Sequence, residues 1–197
     1  MNAPEYYERS LPHRLARGST LFLTFRLAGS LPLEVLARLK AAAAAPSEKP
    51  AEYAAQKRYF GRFDAWLDQA TAGPTWLRVP AVAALVAEAL HFRHGTGYEL
   101  VAYCIMPNHV HAVVALSDDA PPLLRTLQSL KANTAILANR HLQRTGAFWQ
   151  RETYDHIVRR AGEGRRIVAY VLNNPVKAGW VTSWDQWPYT YWNPDHQ

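Results

Sequence analysis

A chain of 197 residues, 49% of them hydrophobic, is long enough to bury one core, with room for an elaboration of that one domain. Lysine and arginine exceed aspartate and glutamate by 22 to 16, and the net charge of +6 suits a polyanionic partner such as nucleic acid. There is no run of about 18 apolar residues, the polar start MNAPEYYERSLPHR is unlike a signal peptide, and the single Cys104 can form no internal disulfide; a soluble, cytoplasmic protein without membrane contact is the expectation.

Residues 1–17 carry Tyr6, Tyr7, Arg9, His13, Arg14 and Arg17 with little apolar periodicity and read as a surface arm. Thr20 to Leu27 is rich in β-branched and aromatic residues and ends at Gly29, which predicts a first strand. Helical spacing over 31–45 is broken by Pro46-Ser47-Glu48-Lys49-Pro50. A second helix follows from 51 to about 70, with Tyr59, Phe60, Phe63, Trp66 and Leu67 as its packed stripe and Lys57, Arg58, Arg62 and Asp68 mostly outside it. A third helix spans 79–93 with Pro80 near its start; His91 and His94 near its end read as ordinary histidines at a favourable dipole terminus. Two strands, 98–106 and 109–116, meet at a Pro107-Asn108 turn. Ser117-Asp118-Asp119 is placed to cap a helix over 121–143, which buries Leu123, Leu127, Leu130, Thr134 and Leu137 and leaves Arg125, Lys131 and Arg140 outside. A fourth strand over 153–159 precedes a helix from about 163 to 173, stopped ahead of Pro175. The aromatic tail, with Trp184, Trp187, Tyr189, Tyr191 and Trp192, is expected to wrap back over the core.

Strand side chains alternate between faces, so His109 and His111 point the same way and can share a metal ion; alone they would equally fit the solvated face of a strand. On the last helix Arg166, Tyr170 and Asn174 recur every four residues and form one stripe. Set against the histidines, that stripe suggests a mechanism. A hard divalent ion, Mg²⁺ or Mn²⁺, held by His109, His111 and the Asn174 side-chain oxygen would keep positions open for a phosphate that the Tyr170 oxygen attacks. Tyr154 is the competing nucleophile, with Arg151, Glu152, Asp155 and His156 around it. A third reading, a metal hydrolase with water as nucleophile, would want a further carboxylate or histidine near the metal, and no spacing in the sequence supplies one.

The blocks MPNHVHAVV, LQSLKANTA, FWQRETYDHIVR and IVAYVLNNPVKAGWV resemble, in this order, the REP-associated tyrosine transposases of the HUH class of single-tyrosine transposases. The resemblance is close over residues 98–182 and loose over the first strand. It implies an α+β, ferredoxin-like antiparallel sheet with helices packed on it and the His-x-His motif on a central strand. It also implies His109, His111 and Asn174 as metal ligands and Tyr170 as nucleophile. The implied activity is cleavage and rejoining of single-stranded, REP-type hairpin DNA through a 5′-phosphotyrosine; the alternative is a domesticated protein that binds such hairpins without cutting them. Arg166, Lys131, Arg125, Arg151 and Lys177 are the candidate DNA contacts. The chain is then one domain over 1–197, with a helical insertion at 31–75 longer than the connection usual in the family, an aromatic tail at 182–197, and a monomeric or homodimeric state. The setting implied is the bacterial cytoplasm, at the nucleoid when DNA is bound.

Overall fold

Strand β3 (Thr20–Leu27) sends Leu21, Leu23, Phe25 and Leu27 into one apolar cluster and Phe22 into a second on the opposite side. A strand buried on both sides must lie inside a sheet that is covered on both faces. The computed structural model, which describes residues 5–8, 12–15, 18–43, 60–70, 72–159 and 161–196, shows that arrangement. Strands β4 (Glu99–Ile105), β5 (His109–Ala115), β6 (Trp149–Val158) and β7 (Thr190–Trp192) join β3 in a five-stranded antiparallel sheet of order β6-β3-β5-β4-β7. The N-terminal segment, expected as an irregular arm, contains an antiparallel pair, β1 (Glu5–Glu8) with β2 (Pro12–Leu15); Arg9 and Arg17 lie outside the described residues.

Helices α1 (Leu33–Ala43) and α2 (60–69) form the described part of the expected insertion, while the predicted break at 46–50 and the start of the second helix, 51–59, fall outside the described residues. The insertion begins and ends at two glycines in contact. Gly73 has φ +78, and a Cβ there would lie 2.2 Å from the Gly29 carbonyl oxygen, so only glycine permits this approach. Helices α3 (Pro80–His91) and α4 (Leu123–His141) pack Val82, Val86 and Leu90, and Leu123, Leu127 and Leu130, on the first cluster. Without the insertion, the path β3-α3-β4-β5-α4-β6 is a βαββαβ unit whose strands stand in the spatial order fourth, first, third, second, the ferredoxin-like arrangement. His109 and His111 lie on β5, the central strand.

The opposite face carries the second cluster, against which α5 (Ala161–Leu172) packs Ile167, Val168 and Val171. Pro175 ends α5 as expected, and a short α6 (Asn174–Lys177) restarts the helical path with that proline in its first turn. The tail folds back as β7, which adds to the β4 edge by pairing Tyr191 with Tyr103. No helix among the described residues is long and apolar enough to cross a membrane.

Two local expectations change. α4 starts after Pro122 with no side-chain cap, so Ser117-Asp118-Asp119 does not serve there. β6 begins at Trp149 rather than near 153, because its register against β3 skips: Phe25 pairs with Thr153 but Leu27 with Trp149. The strand carbonyls released by this bulge are met by Lys131, whose ammonium donates to the Gln150, Arg151 and Glu152 carbonyls at 3.1, 3.3 and 3.2 Å and to Thr153 Oγ1 at 2.6 Å. Lys131→Met is therefore predicted to lower unfolding free energy by about 1–3 kcal/mol in denaturant titrations, whereas Arg125→Ala, at an exposed position on α4, should change it by less than about 0.5 kcal/mol.

Candidate metal centre and tyrosine

The β5 register puts His111 opposite Thr24 and His109 opposite Arg26, on the face that carries the second cluster. Neither histidine is exposed to solvent. Each imidazole is anchored through Nδ1, at 2.7 Å from Asn108 Oδ1 for His109 and 2.7 Å from Thr24 Oγ1 for His111. The Asn108 amide is oriented by its own Nδ2, which donates to the Leu67 carbonyl at 3.0 Å, so its oxygen faces His109 and can only accept. His109 in its neutral form thus carries its proton on Nδ1 and leaves the Nε2 lone pair free. The two Nε2 atoms converge to 3.1 Å.

A carboxylate completes the cluster. Asp64 on α2 places Oδ1 at 3.0 Å from His111 Nε2, and Asp64, His109 and His111 offer three buried ligand atoms all within 4.8 Å of one another. Burial alone would raise the Asp64 carboxyl, but the charge of and hydrogen bond to His111, with His109 and Lys177 adding, hold it well below the usual carboxylate range. Burial, then the neighbouring His111, pushes His109 well below its ordinary value, so it stays neutral. Neutral imidazole and ionised carboxylate are the forms that bind metal.

Asp68, one turn further along α2, has its carboxyl raised by burial and by the charge of Asp64, and pairs with Lys177 at 2.7 Å. Two carboxylates facing one ammonium leave negative charge that a cation would neutralise.

Tyr170 lies on this site: its hydroxyl donates to Asp64 Oδ2, and its ring centroid is 5.8 Å from that of His111. The Lys177 ammonium is 3.1 Å from Asp64 Oδ2 and 5.2 Å from the Tyr170 ring centroid. Asn174, fully buried at the start of α6, has an amide oxygen and nitrogen that are both buried without a hydrogen-bond partner. The clustered donors, two imidazoles and a carboxylate, fit a divalent cation.

The competing Tyr154 is buried on the same face, stacked on Phe60 at 4.3 Å between centroids and edge-on to Phe22. Burial pushes the Cys104 thiol up to about 12, which keeps it protonated. Of the candidate DNA contacts only Lys177 touches the site. Arg166 is exposed one turn before Tyr170 on α5, Arg151 is exposed on β6, Arg125 sits on α4 across the sheet, and Lys131 is engaged by the β6 bulge. His91 contacts the Tyr103 hydroxyl at 3.3 Å and His94 accepts from the Leu100 amide at 3.0 Å, both remote from the cluster in the fold.

Asp64 was the residue hidden in the sequence. Phe60, Asp64, Leu67 and Asp68 are spaced by four, three and one, so they share one helical face, whereas Trp66, expected on the packed stripe, is exposed. The expectation that Asp68 lies off that face is thereby corrected, and the carboxylate that no spacing in the sequence supplied stands beside the histidines. The signal available was the acidic pair at helical spacing inside an aromatic stripe, where a solvated face should hold no aromatics.

Comparison with known proteins follows this geometry. Residues 86–174 match the model of the IS200-like transposase family, a span that includes His109, His111, Tyr170 and Asn174 and excludes α2. A REP-associated tyrosine transposase of Haemophilus influenzae is 28% identical over 107 residues, 50% of this chain and 61% of that one. That of Escherichia coli K12 is 28% identical over 101 residues, 50% and 56% of the two chains. The chain thus spans about three fifths of the length of these curated relatives. A solved REP-associated tyrosine transposase bound to a REP hairpin shares the fold with a TM-score of 0.58 at 17% identity, covering 93% of this chain and 80% of that one. Over residues 86–174 the chain is thus similar to the IS200-like transposase family, and it shares its fold with the solved structure. Over half of its length it is likewise similar to the two REP-associated tyrosine transposases.

The buried histidine gives a pH dependence whose sign is fixed. Unfolding returns His109 to its ordinary value of 6.5, so below that pH the unfolded chain gains a proton that the folded protein refuses. Stability of the metal-free protein should fall between about pH 7 and about pH 5, by up to about 1.4 kcal/mol per pH unit from this group. His109→Gln should flatten the slope in denaturant midpoints measured across that range, and the loss from Asp64 should enter only below its ordinary value of 3.8.

Proposed function

We propose that this protein cleaves and rejoins single-stranded, REP-type hairpin DNA, with Tyr170 as nucleophile and His109, His111 and Asn174 as ligands of Mg²⁺ or Mn²⁺. The observation that carries the reading is the Tyr170 side chain beside the paired histidines. Kinship to proteins of this name, one of which is bound to a REP hairpin, supports the substrate class. The net charge of +6 is that expected of a protein that meets a phosphate backbone.

A bound divalent ion would supply Lewis-acid polarisation of a non-bridging phosphate oxygen. The chain's own groups do the rest. Asn108 and Thr24 fix the imidazoles, so both Nε2 atoms are aimed before an ion arrives. Tyr170 releases its proton to water as its oxygen bonds to phosphorus, and the 3′-oxygen of the preceding nucleotide leaves and takes up a proton from water, giving a 5′-phosphotyrosine and a free 3′-OH. Lys177 is placed to meet the charge that builds on the phosphate oxygens. Because a phenoxide is a competent leaving group, a 3′-OH can reverse the step and rejoin the strand without external energy.

A second reading gains from Asp64. The carboxylate beside the histidines is what a metal hydrolase with water as nucleophile would use. Single-stranded hairpin oligonucleotides with flanking tails, incubated with Mg²⁺ or Mn²⁺, separate the readings. Tyrosine chemistry gives a covalent adduct that Tyr170→Phe reduces by more than about a thousandfold and Tyr154→Phe retains. Cleavage that survives Tyr170→Phe without an adduct would mean hydrolysis, and tight binding with neither product would mean a binding protein.

A further inference from the structure

The site is closed. His109, His111, Asp64 and Asn174 are all wholly buried, so no phosphodiester of a DNA strand can reach the histidines in this conformation. Among the described residues, α2 covers the histidines through Asp64 and Phe60. Its Asp64 carboxylate presents one oxygen to His111 at 3.0 Å and the other to the Tyr170 hydroxyl and to Lys177 at 3.1 Å. A phosphodiester carries the same single negative charge and two non-bridging oxygens, and in the proposed reaction it would come to the same side of the histidines, beside Tyr170 and Lys177. Phe63 of α2 lies over the guanidinium of Arg26, itself buried and paired across the sheet with His109. Lifting α2 would release Lys177, already half exposed, from both of its carboxylates beside the histidines.

We propose that α2 is a lid whose Asp64 holds, in the DNA-free protein, the seat that the scissile phosphate takes when the lid lifts. This rests on the reading given under Proposed function. The inserted helix is separable from the core in composition and attachment. It lies outside the span that matches the transposase family, and Phe60 and Leu67 are the apolar side chains by which it is docked, with Phe60 stacked on Tyr154 and edge-on to Phe22 at 5.2 Å. Its polar hold is the set of Asp64 and Asp68 contacts with His111, Lys177 and Tyr170, together with the Leu67 carbonyl that receives Asn108. Substrate would compete directly for the first of these, so strand binding and lid opening are the same equilibrium. The apparent affinity is the intrinsic one scaled by the open fraction.

Hydrogen exchange of the full-length protein, with and without a saturating single-stranded hairpin oligonucleotide, tests this. Peptides covering 60–69 should exchange at least tenfold faster in the complex while those covering β3 and β5 do not. A complex that forms with α2 protection unchanged or increased overturns the lid and leaves the nuclease reading standing; no complex at all overturns both. Phe60→Ala, which removes the stack on Tyr154 and leaves the histidines, Asn174 and Tyr170 unsubstituted, should raise the initial rate of adduct formation at least threefold at subsaturating DNA. An unchanged or lower rate with the fold intact by circular dichroism contradicts the lid.

Discussion

Two imidazole nitrogens at 3.1 Å, each turned inward by a hydrogen bond on its other nitrogen and sealed from water, are the constraint on which the rest of the site depends. Such a pair is costly to bury unless something binds it, because imidazoles in a dry interior have given up hydration. The chain answers with Asp64 on one side and leaves the Asn174 amide unpartnered. Every other feature of that face follows from keeping this arrangement in register. β5 must be central so that β3 supplies Thr24, the turn must carry Asn108, and α5 must end where Pro175 brings Asn174 into the interior.

The sheet divides the labour between its faces. One side is a conventional apolar core under α3 and α4, built from Leu, Val and Phe side chains, and carries stability. The other mixes Phe22, Val113, Val171 and Cys104 with the ionisable cluster, so its low polarity strengthens each electrostatic contact made there. The lysines show how unlike the same residue type can be in the two settings. Lys131 satisfies backbone carbonyls at a strand irregularity, whereas Lys177 balances two carboxylates beside the tyrosine.

Much of this was legible in the sequence, and the exceptions have physical reasons. The central strand pair was readable because alternation and the Pro107-Asn108 turn are local signals, and the Tyr170 and Asn174 stripe because helical spacing is too. The β7 strand was visible only as an aromatic tail, since edge pairing is decided by the strand it meets. The β6 bulge and its lysine plug were invisible because a register skip leaves no mark on either strand alone. Asp64 escaped for a related reason: an acid on a helix is ordinarily on the solvated side, and only the tertiary position of two histidines 45 and 47 residues later makes its burial favourable.

The most direct test is of the histidine pair itself as a metal centre. Pulsed electron paramagnetic resonance of Mn²⁺ added to the full-length protein reports nitrogen nuclei bound to the ion independently of any DNA reaction. One Mn²⁺ per chain coupled to two imidazole nitrogens, with one coupling lost in His111→Ala, is the predicted result. Mn²⁺ that stays in solution, or binds with no nitrogen coupling, would contradict the account at its foundation.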